Sequence, residues 1–147
     1  MRTEIFKSLV ALLRKAFPEL PVYIGDTPEG FDRPSILIEE DGGSYDPEHT
    51  CQTGENVLNL TVVLFGVLTD GYRTEDQLEL LTMQQTVTDL LAGGRLEAGG
   101  RSIRVAVSFG GEIPGEAYVD LTMRWISEAR ERAEDEPLMM EVHTRNN

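Results

Sequence analysis

The chain has 147 residues, of which 40% are hydrophobic, and a formal net charge of −13 that arises from 26 acidic and 13 basic residues. This length suits one globular core better than two domains. The acidic balance argues against a nucleic-acid-binding module, because phosphate contacts require clustered Lys and Arg, and the single cysteine, Cys51, excludes an internal disulfide.

The N-terminal segment is predicted to be an amphipathic helix. Apolar residues recur at steps of three and four from Ile5 to Ala16. Thr3 is the predicted N-cap, and the helix is expected to end before Pro18, because helical geometry is disfavoured for a residue that precedes proline. Glu4 and Lys7 interrupt the apolar stretch, so no signal peptide is predicted, and no segment approaches the roughly 20 apolar residues of a membrane span.

Three strands are predicted to follow, at residues 22–25, 35–40 and 56–67. The stretch between the second and third strands, residues 41–55, is acidic and glycine-rich, and it is either a long loop or the tip of a long hairpin. A structureless connection of this length is uncommon in a compact domain unless it has a function. The third strand carries apolar residues on both faces, which predicts helices on one side and partial burial on the other.

A second helix and a closing hairpin complete the pattern. Thr74 is predicted to cap the helix, with Gln77 as its capping-box partner, and the glycines at 93–94 are predicted to end it. Strands at residues 103–109 and 119–125 are close enough in sequence to form an antiparallel hairpin.

The predicted order is therefore α-β-β-β-α-β-β, an α+β fold with a mostly antiparallel sheet of about five strands and two helices packed on one face. One domain is expected over residues 1–127, followed by a charged, acidic C-terminal extension at residues 128–147. On the last strand, Tyr118, Asp120 and Arg124 share the face that points away from the helices, so this face is predicted to line an interface.

Catalytic and metal-binding signatures are weak. The four glycine pairs lack the strand, helix and lysine that flank a phosphate-binding loop. The acidic stretch around Asp41 and Glu48 is the best candidate for a cation site, but it lacks the spacing of an EF-hand and is interpreted as a solvated loop. His49 and Cys51 supply two potential ligands where zinc sites need three or four, and Cys51 lacks the groups that activate a nucleophile. We therefore predict no cofactor, no metal site and no enzymatic activity.

The segment at residues 21–40, PVYIGDTPEGFDRPSILIEE, resembles the phage tail terminator proteins, also called tail completion proteins, of long-tailed phages and prophages. Members of this family similarly run from a helix into a PVY strand and through a turn into an RPS-containing strand. Here that strand reads RPSILIEE, with Ile36 and Leu37 where aromatic residues are frequent. The later elements agree in order up to about Ile126, whereas the extension beyond Ser127 has no match.

The resemblance implies a non-enzymatic subunit of the virion tail, located at the head–tail junction and assembled in the host cytoplasm. It would form a ring, usually of six copies, on the last ring of the tail tube, and would stop tube polymerisation there. Its partners would be further copies of itself, the tail-tube protein and the head-completion or connector protein, with no membrane. DNA would pass through an acidic lumen without specific binding.

Such a ring joins one patch of each subunit to a different patch of the next. The strand residues predicted to serve these contacts are Val57, Val63, Phe65, Tyr118, Asp120 and Arg124. The loop residues predicted to contact the tube or a neighbouring subunit are Asp41, Tyr45, Asp46 and Glu48.

Two other interpretations stay open at this point. An acidic homo-oligomeric binding module would show the same two-faced strand, because a fold does not define a function. The second interpretation is a small enzyme that holds a divalent ion in the acidic stretch.

Overall fold

The computed structural model of the protein describes residues 1–47 and 53–128. It contains two helices and six strands, which in chain order are α1 (Arg2–Ala16), β1 (Val22–Ile24), β2 (Ser35–Asp46), β3 (Thr53–Phe65), α2 (Gln77–Leu90), β4 (Arg95–Ala98), β5 (Arg101–Ile113) and β6 (Glu116–Glu128). The predicted C-terminal extension beyond Glu128 lies outside the described residues.

The six strands form one sheet in the order β1-β2-β3-β6-β5-β4. Only the short strand β1 runs parallel to its neighbour, and the other four pairings are antiparallel. The predicted α+β class with a mostly antiparallel sheet is therefore confirmed. The predicted count of about five strands is wrong, because the four residues of β4 pair with the beginning of β5 and add a sixth strand at the edge.

Both helices lie on one face of the sheet, which we call the inner face. Ile5 and Leu9 of α1 join Leu80 and Val87 of α2 in the main core cluster, where all four side chains are fully or almost fully buried. The strands contribute their inward residues at alternate positions, since successive side chains of a strand point to opposite faces. In β3 these residues are Leu58, Leu60, Val62 and Leu64.

The N-termini of both helices differ from the prediction. The first helix begins one residue before Thr3, with Met1 at the N-cap and no side-chain cap. The second begins after Asp76, whose side chain accepts a hydrogen bond from the backbone N–H of Glu79 at 3.1 Å. Thr74 is therefore not the cap, and its hydroxyl oxygen instead accepts a hydrogen bond from the backbone N–H of Gly115.

The described part of the stretch at residues 41–55 is a hairpin rather than a loop. Strand β2 continues to Asp46 and β3 begins at Thr53, and the two strands are paired from Ser35↔Phe65 to Asp46↔Glu55. A register shift between Glu40 and Gly43 interrupts the ladder. Of the open alternatives, the hairpin is thus the one that the structure shows.

Candidate assembly surface

The face of the sheet opposite the helices, which we call the outer face, is the candidate functional surface. Odd-numbered residues of β3 and even-numbered residues of β6 lie on it, as their cross-strand register requires. In the described part of the chain both helices pack on the inner face, so no helix covers the outer one. All six residues predicted to form strand contacts, from Val57 to Arg124, lie on this face.

One end of the outer face is apolar and is covered by the chain itself. Leu37, Val63 and Phe65 form a second buried cluster, against which Tyr23 and Phe31 pack. The rings of Phe31 and Phe65 have centroids 4.7 Å apart. Val63 and Phe65 are only 3% and 7% exposed, so their side chains offer a neighbouring subunit little surface.

The side chain of Arg33 lies over the aromatic rings at this apolar end. Its guanidinium carbon lies 5.3 Å from the centroid of the Phe31 ring and 5.0 Å from that of Phe65, within the range of cation–π attraction. Its Nη1 donates hydrogen bonds to the carbonyl oxygens of Gly66 at 3.1 Å and Gly115 at 3.4 Å. One side chain thereby links the β1–β2 connection, the end of β3 and the β5–β6 turn.

The centre of the outer face is polar and acidic. The hydroxyl of Thr61 contacts the carboxylates of both Asp41 and Asp120, the latter at 2.9 Å. A threonine hydroxyl has one proton, so it donates to one of these carboxylates at a time. The structure thus brings together Asp41 from the predicted loop set and Asp120 from the predicted strand set, which are distant in sequence.

Tyr118 lies between the apolar end and the acidic centre. Burial raises the pKa of its hydroxyl above the ordinary value of 10.0, and the nearby carboxylates of Glu116 and Glu39 raise the pKa further. The hydroxyl therefore stays protonated, and able to donate a hydrogen bond, to a higher pH than that of an ordinary tyrosine.

The other end of the outer face is basic. Arg95 on β4 lies opposite Arg104 on β5, and Arg104 lies opposite Arg124 on β6. Arg124 donates to the carboxylate of Glu55 at 3.1 Å. Arg95 and Arg104, which we call the arginine pair, are exposed and form no hydrogen bond or ion pair with another described residue.

The remaining predicted residues do not gather at one site. Val57 is half-buried, on the outer face beside Arg124. Asp46 is exposed near the end of the β2–β3 hairpin, whereas Tyr45 is half-buried with its ring against Gly54. Glu48 lies outside the described residues.

Sequence reasoning did not identify Arg33, Arg95 or Arg104. Arg33 contacts Phe65 only in the folded chain, although its other aromatic neighbour, Phe31, is two residues away in sequence. Arg95 meets Arg104 through the short β4–β5 hairpin, whose first strand was not predicted. An alternating pattern for β4 would have put Arg95 on the outer face, but four residues between two glycine pairs gave too short a signal.

Cation-binding and catalytic features are sparse in the described part of the chain. Residues 1–47 and 53–128 contain no group of three or more His, Cys, Asp or Glu side chains arranged to hold a metal ion. A cavity of about 190 Å³ beside Trp125 is lined by Arg2 and Glu40, which form an ion pair at 2.6 Å. This ion pair joins the start of α1 to β2.

The comparison with known families gives the class of this protein. The family model described as phage tail terminator protein matches residues 4–108. The chain therefore belongs to the phage tail terminator family, as the resemblance in its first strands predicted. It is accordingly a structural component of a phage tail, and its partners are other proteins of the phage tail or head.

Other comparisons add little. No curated protein matches the chain. Among the solved structures that match, one has 20% identity over 86% of this chain and 92% of its own length, with a TM-score of 0.43, and its printed name states no function. Within the described residues, neither helix has the length and apolar character needed to span a lipid bilayer.

Proposed function

We propose that the protein caps the phage tail tube as a ring of about six subunits, a closed heterologous assembly that ends tube polymerisation. The exposed end of the ring then receives the head-completion or connector protein. Family membership supports the tail role. The structural observation that carries the proposal is the outer face, because a sheet face without a covering helix is available for contacts with other chains.

The chemistry of the outer face supports protein contacts rather than catalysis. Its described part presents aromatic, hydroxyl, carboxylate and guanidinium groups in separate regions, and a protein surface with several regions can meet more than one partner. The net charge of −13 also suits a ring through which DNA passes, since an acidic wall repels the phosphate backbone.

The test is the length of tail tubes formed in the presence of the chain. Purified tail-tube protein is polymerised with increasing amounts of the chain, and the tubes are measured by negative-stain electron microscopy. The proposal predicts shorter tubes as the molar ratio of the chain rises. Tube lengths that stay unchanged at a molar excess of the chain would overturn it.

A matched pair of alanine substitutions tests the outer face itself. Ala106 is exposed on β5 of the outer face, and Ala11 is exposed on α1 on the other side of the sheet. We expect Ala106→Arg to lose the effect on tube length, because the added side chain occupies the contact surface, whereas Ala11→Arg keeps it. Equal effects of the two variants would exclude this face from the assembly.

A further inference from the structure

The two sides of the sheet leave different lengths of strand without a partner. The three residues of β1 pair with residues 36–38 of β2, and the four residues of β4 pair with residues 101–104 of β5. Beyond them, residues 39–46 of β2 and 106–113 of β5 have no strand on their outward side in the described chain. Unpaired backbone N–H and C=O groups of this kind can pair with a strand of another molecule.

The side chains at these two edges carry opposite charges on the outer face. The β5 side carries the arginine pair, Arg95 and Arg104. The β2 side carries three carboxylates that we call the acidic edge, namely Glu39, Asp41 and Asp46. The two groups lie at opposite sides of a six-stranded sheet, so they do not neutralise each other within one subunit.

The arginine pair would favour an anionic surface on any molecule that binds this side of the sheet. Two arginines directly opposite each other on neighbouring strands repel, and this arrangement destabilises an isolated sheet. Glu97 lies on the same face two residues from Arg95, but no described carboxylate forms an ion pair with either arginine, although the chain has 26 acidic residues. A carboxylate surface from another molecule would relieve this repulsion.

Exposed apolar side chains lie beside the same two edges. Phe109 and Ile113 on β5 are 60% and 51% exposed, and Ile24 on β1 is 53% exposed. About half of each side chain is exposed to water in the single subunit. Joining the two edges would shield this exposed apolar surface.

We propose that the β4–β5 side of one subunit binds the β2 side of the next, with the arginine pair of the first facing the acidic edge of the second. This contact is heterologous, and its repetition generates the ring. The inference rests on the proposed function and adds to it the two surfaces that join neighbouring subunits. A polyanion such as duplex DNA is the competing partner for the arginine pair, but two free arginines give a small basic patch in a chain of net charge −13.

Two charge-reversal variants test the contact. The first carries Arg95→Glu with Arg104→Glu, and the second carries Glu39→Lys with Asp46→Lys. Each reversal places like charges across the proposed contact, so we expect each variant alone to need at least about 10-fold more protein to self-associate than the wild type. Arg14→Glu with Arg73→Glu is the control for the first variant, because it makes the same change in net charge at exposed sites away from both edges.

Mixing the variants gives the sharper result. In an alternating ring, every contact between the two variants again pairs opposite charges, so the equimolar mixture is expected to assemble where neither variant assembles alone. Analytical ultracentrifugation at about 50 mM and about 500 mM NaCl measures this assembly, and the wild-type assembly should weaken at the higher salt. Circular dichroism of each variant confirms that it is folded.

Several results would overturn the inference. One is self-association of both variants at the wild-type concentration, and another is a mixture that fails to assemble although both variants are folded. A third is a wild-type chain that is monomeric both in solution and on tail tubes. A fourth is an arginine variant that loses duplex DNA binding while its assembly stays unchanged.

Tube shortening separates this inference from the proposed function. Charge-reversed chains that still shorten tubes would reject this contact and leave the proposed function intact, whereas wild-type chains that do not shorten tubes would reject the proposed function itself.

Discussion

Arg33 holds its guanidinium carbon 5.0 Å from the centroid of the Phe65 ring and donates to two backbone carbonyl oxygens at the same end of the sheet. A lysine cannot reproduce the planar, forked guanidinium that makes these contacts together. We expect Arg33→Lys to lower the free energy of unfolding by about 1–3 kcal/mol. Urea unfolding measures the loss, and Arg14→Lys at an exposed site of α1 is the control; equal midpoints for the two variants would contradict the assigned role.

Gly43 lies where the register shift in β2 ends and approaches the paired strand closely. A Cβ atom at this position would overlap the carbonyl oxygen of Val57 on the paired strand. We expect Gly43→Ala to cost about 1–3 kcal/mol, because the backbone of the hairpin must move to accept the methyl group. Gly93→Ala is the matched control, since its Cβ would have no atom within 4 Å, and it should stay within about 0.5 kcal/mol of the wild type. Similar costs for both would show that the hairpin is not closely paired here.

The cap of α2 gives a further prediction. Asp76 accepts a hydrogen bond from the backbone N–H of Glu79, so Asp76→Ala should lower the free energy of unfolding by about 1 kcal/mol. Asp70→Ala removes the same charge from an exposed turn and should change stability by less than about 0.5 kcal/mol. Thermal unfolding followed by circular dichroism separates the two, and an unaffected Asp76→Ala variant would argue against the cap.

The raised pKa of Tyr118 predicts a loss of stability in alkali. Well below pH 10 the hydroxyl is protonated in both the folded and the unfolded chain. Above this pH the unfolded chain releases the proton more readily than the folded one, so stability falls as pH rises through the folded pKa. Urea unfolding at pH about 8 and about 11 should show a smaller fall in Tyr118→Phe than in the wild type.

Tyr72→Phe is the control for this pH dependence, because the side chain of Tyr72 is 78% exposed. It should show the same alkaline fall as the wild type. A fall that is equal in wild-type, Tyr118→Phe and Tyr72→Phe proteins would mean that Tyr118 is not coupled to folding.

The elements that sequence predicted correctly are those whose patterns are long. Helix α1 and strand β3 show many repeats of their helical or alternating period, and each repeat reflects burial against the same core. Strand β4 has four residues, and it is a strand because β5 pairs with it. Its own pattern is too short to predict a strand, and the pairing with β5 across the turn at Gly99 and Gly100 sets its state.

The N-cap of α2 could not be predicted from the local sequence. Thr74 and Asp76 each have a capping-box partner three residues later, at Gln77 and Glu79, so the local pattern allows both. The hydroxyl of Thr74 is instead bonded to the backbone N–H of Gly115, a residue of a distant turn. The local sequence therefore could not show which residue caps α2, because the contact between Thr74 and Gly115 forms only in the folded chain.

The candidate surface was predictable in part. The alternation in β3 correctly indicated a second apolar face, but not that Phe31 and Arg33 of the same chain cover its apolar end. The arginine pair depends on the register of β4 against β5, and β4 was not predicted from its four residues. Family resemblance supplied the tail role because it compares the whole order of elements.

The most direct test of the central claim is cryo-electron microscopy of tail tubes assembled with a saturating amount of the chain. The account predicts one closed ring of about six copies on a single end of each tube, with the β2 side of each subunit against the β4–β5 side of the next. Bare tube ends, or chains bound along the tube wall, would contradict it.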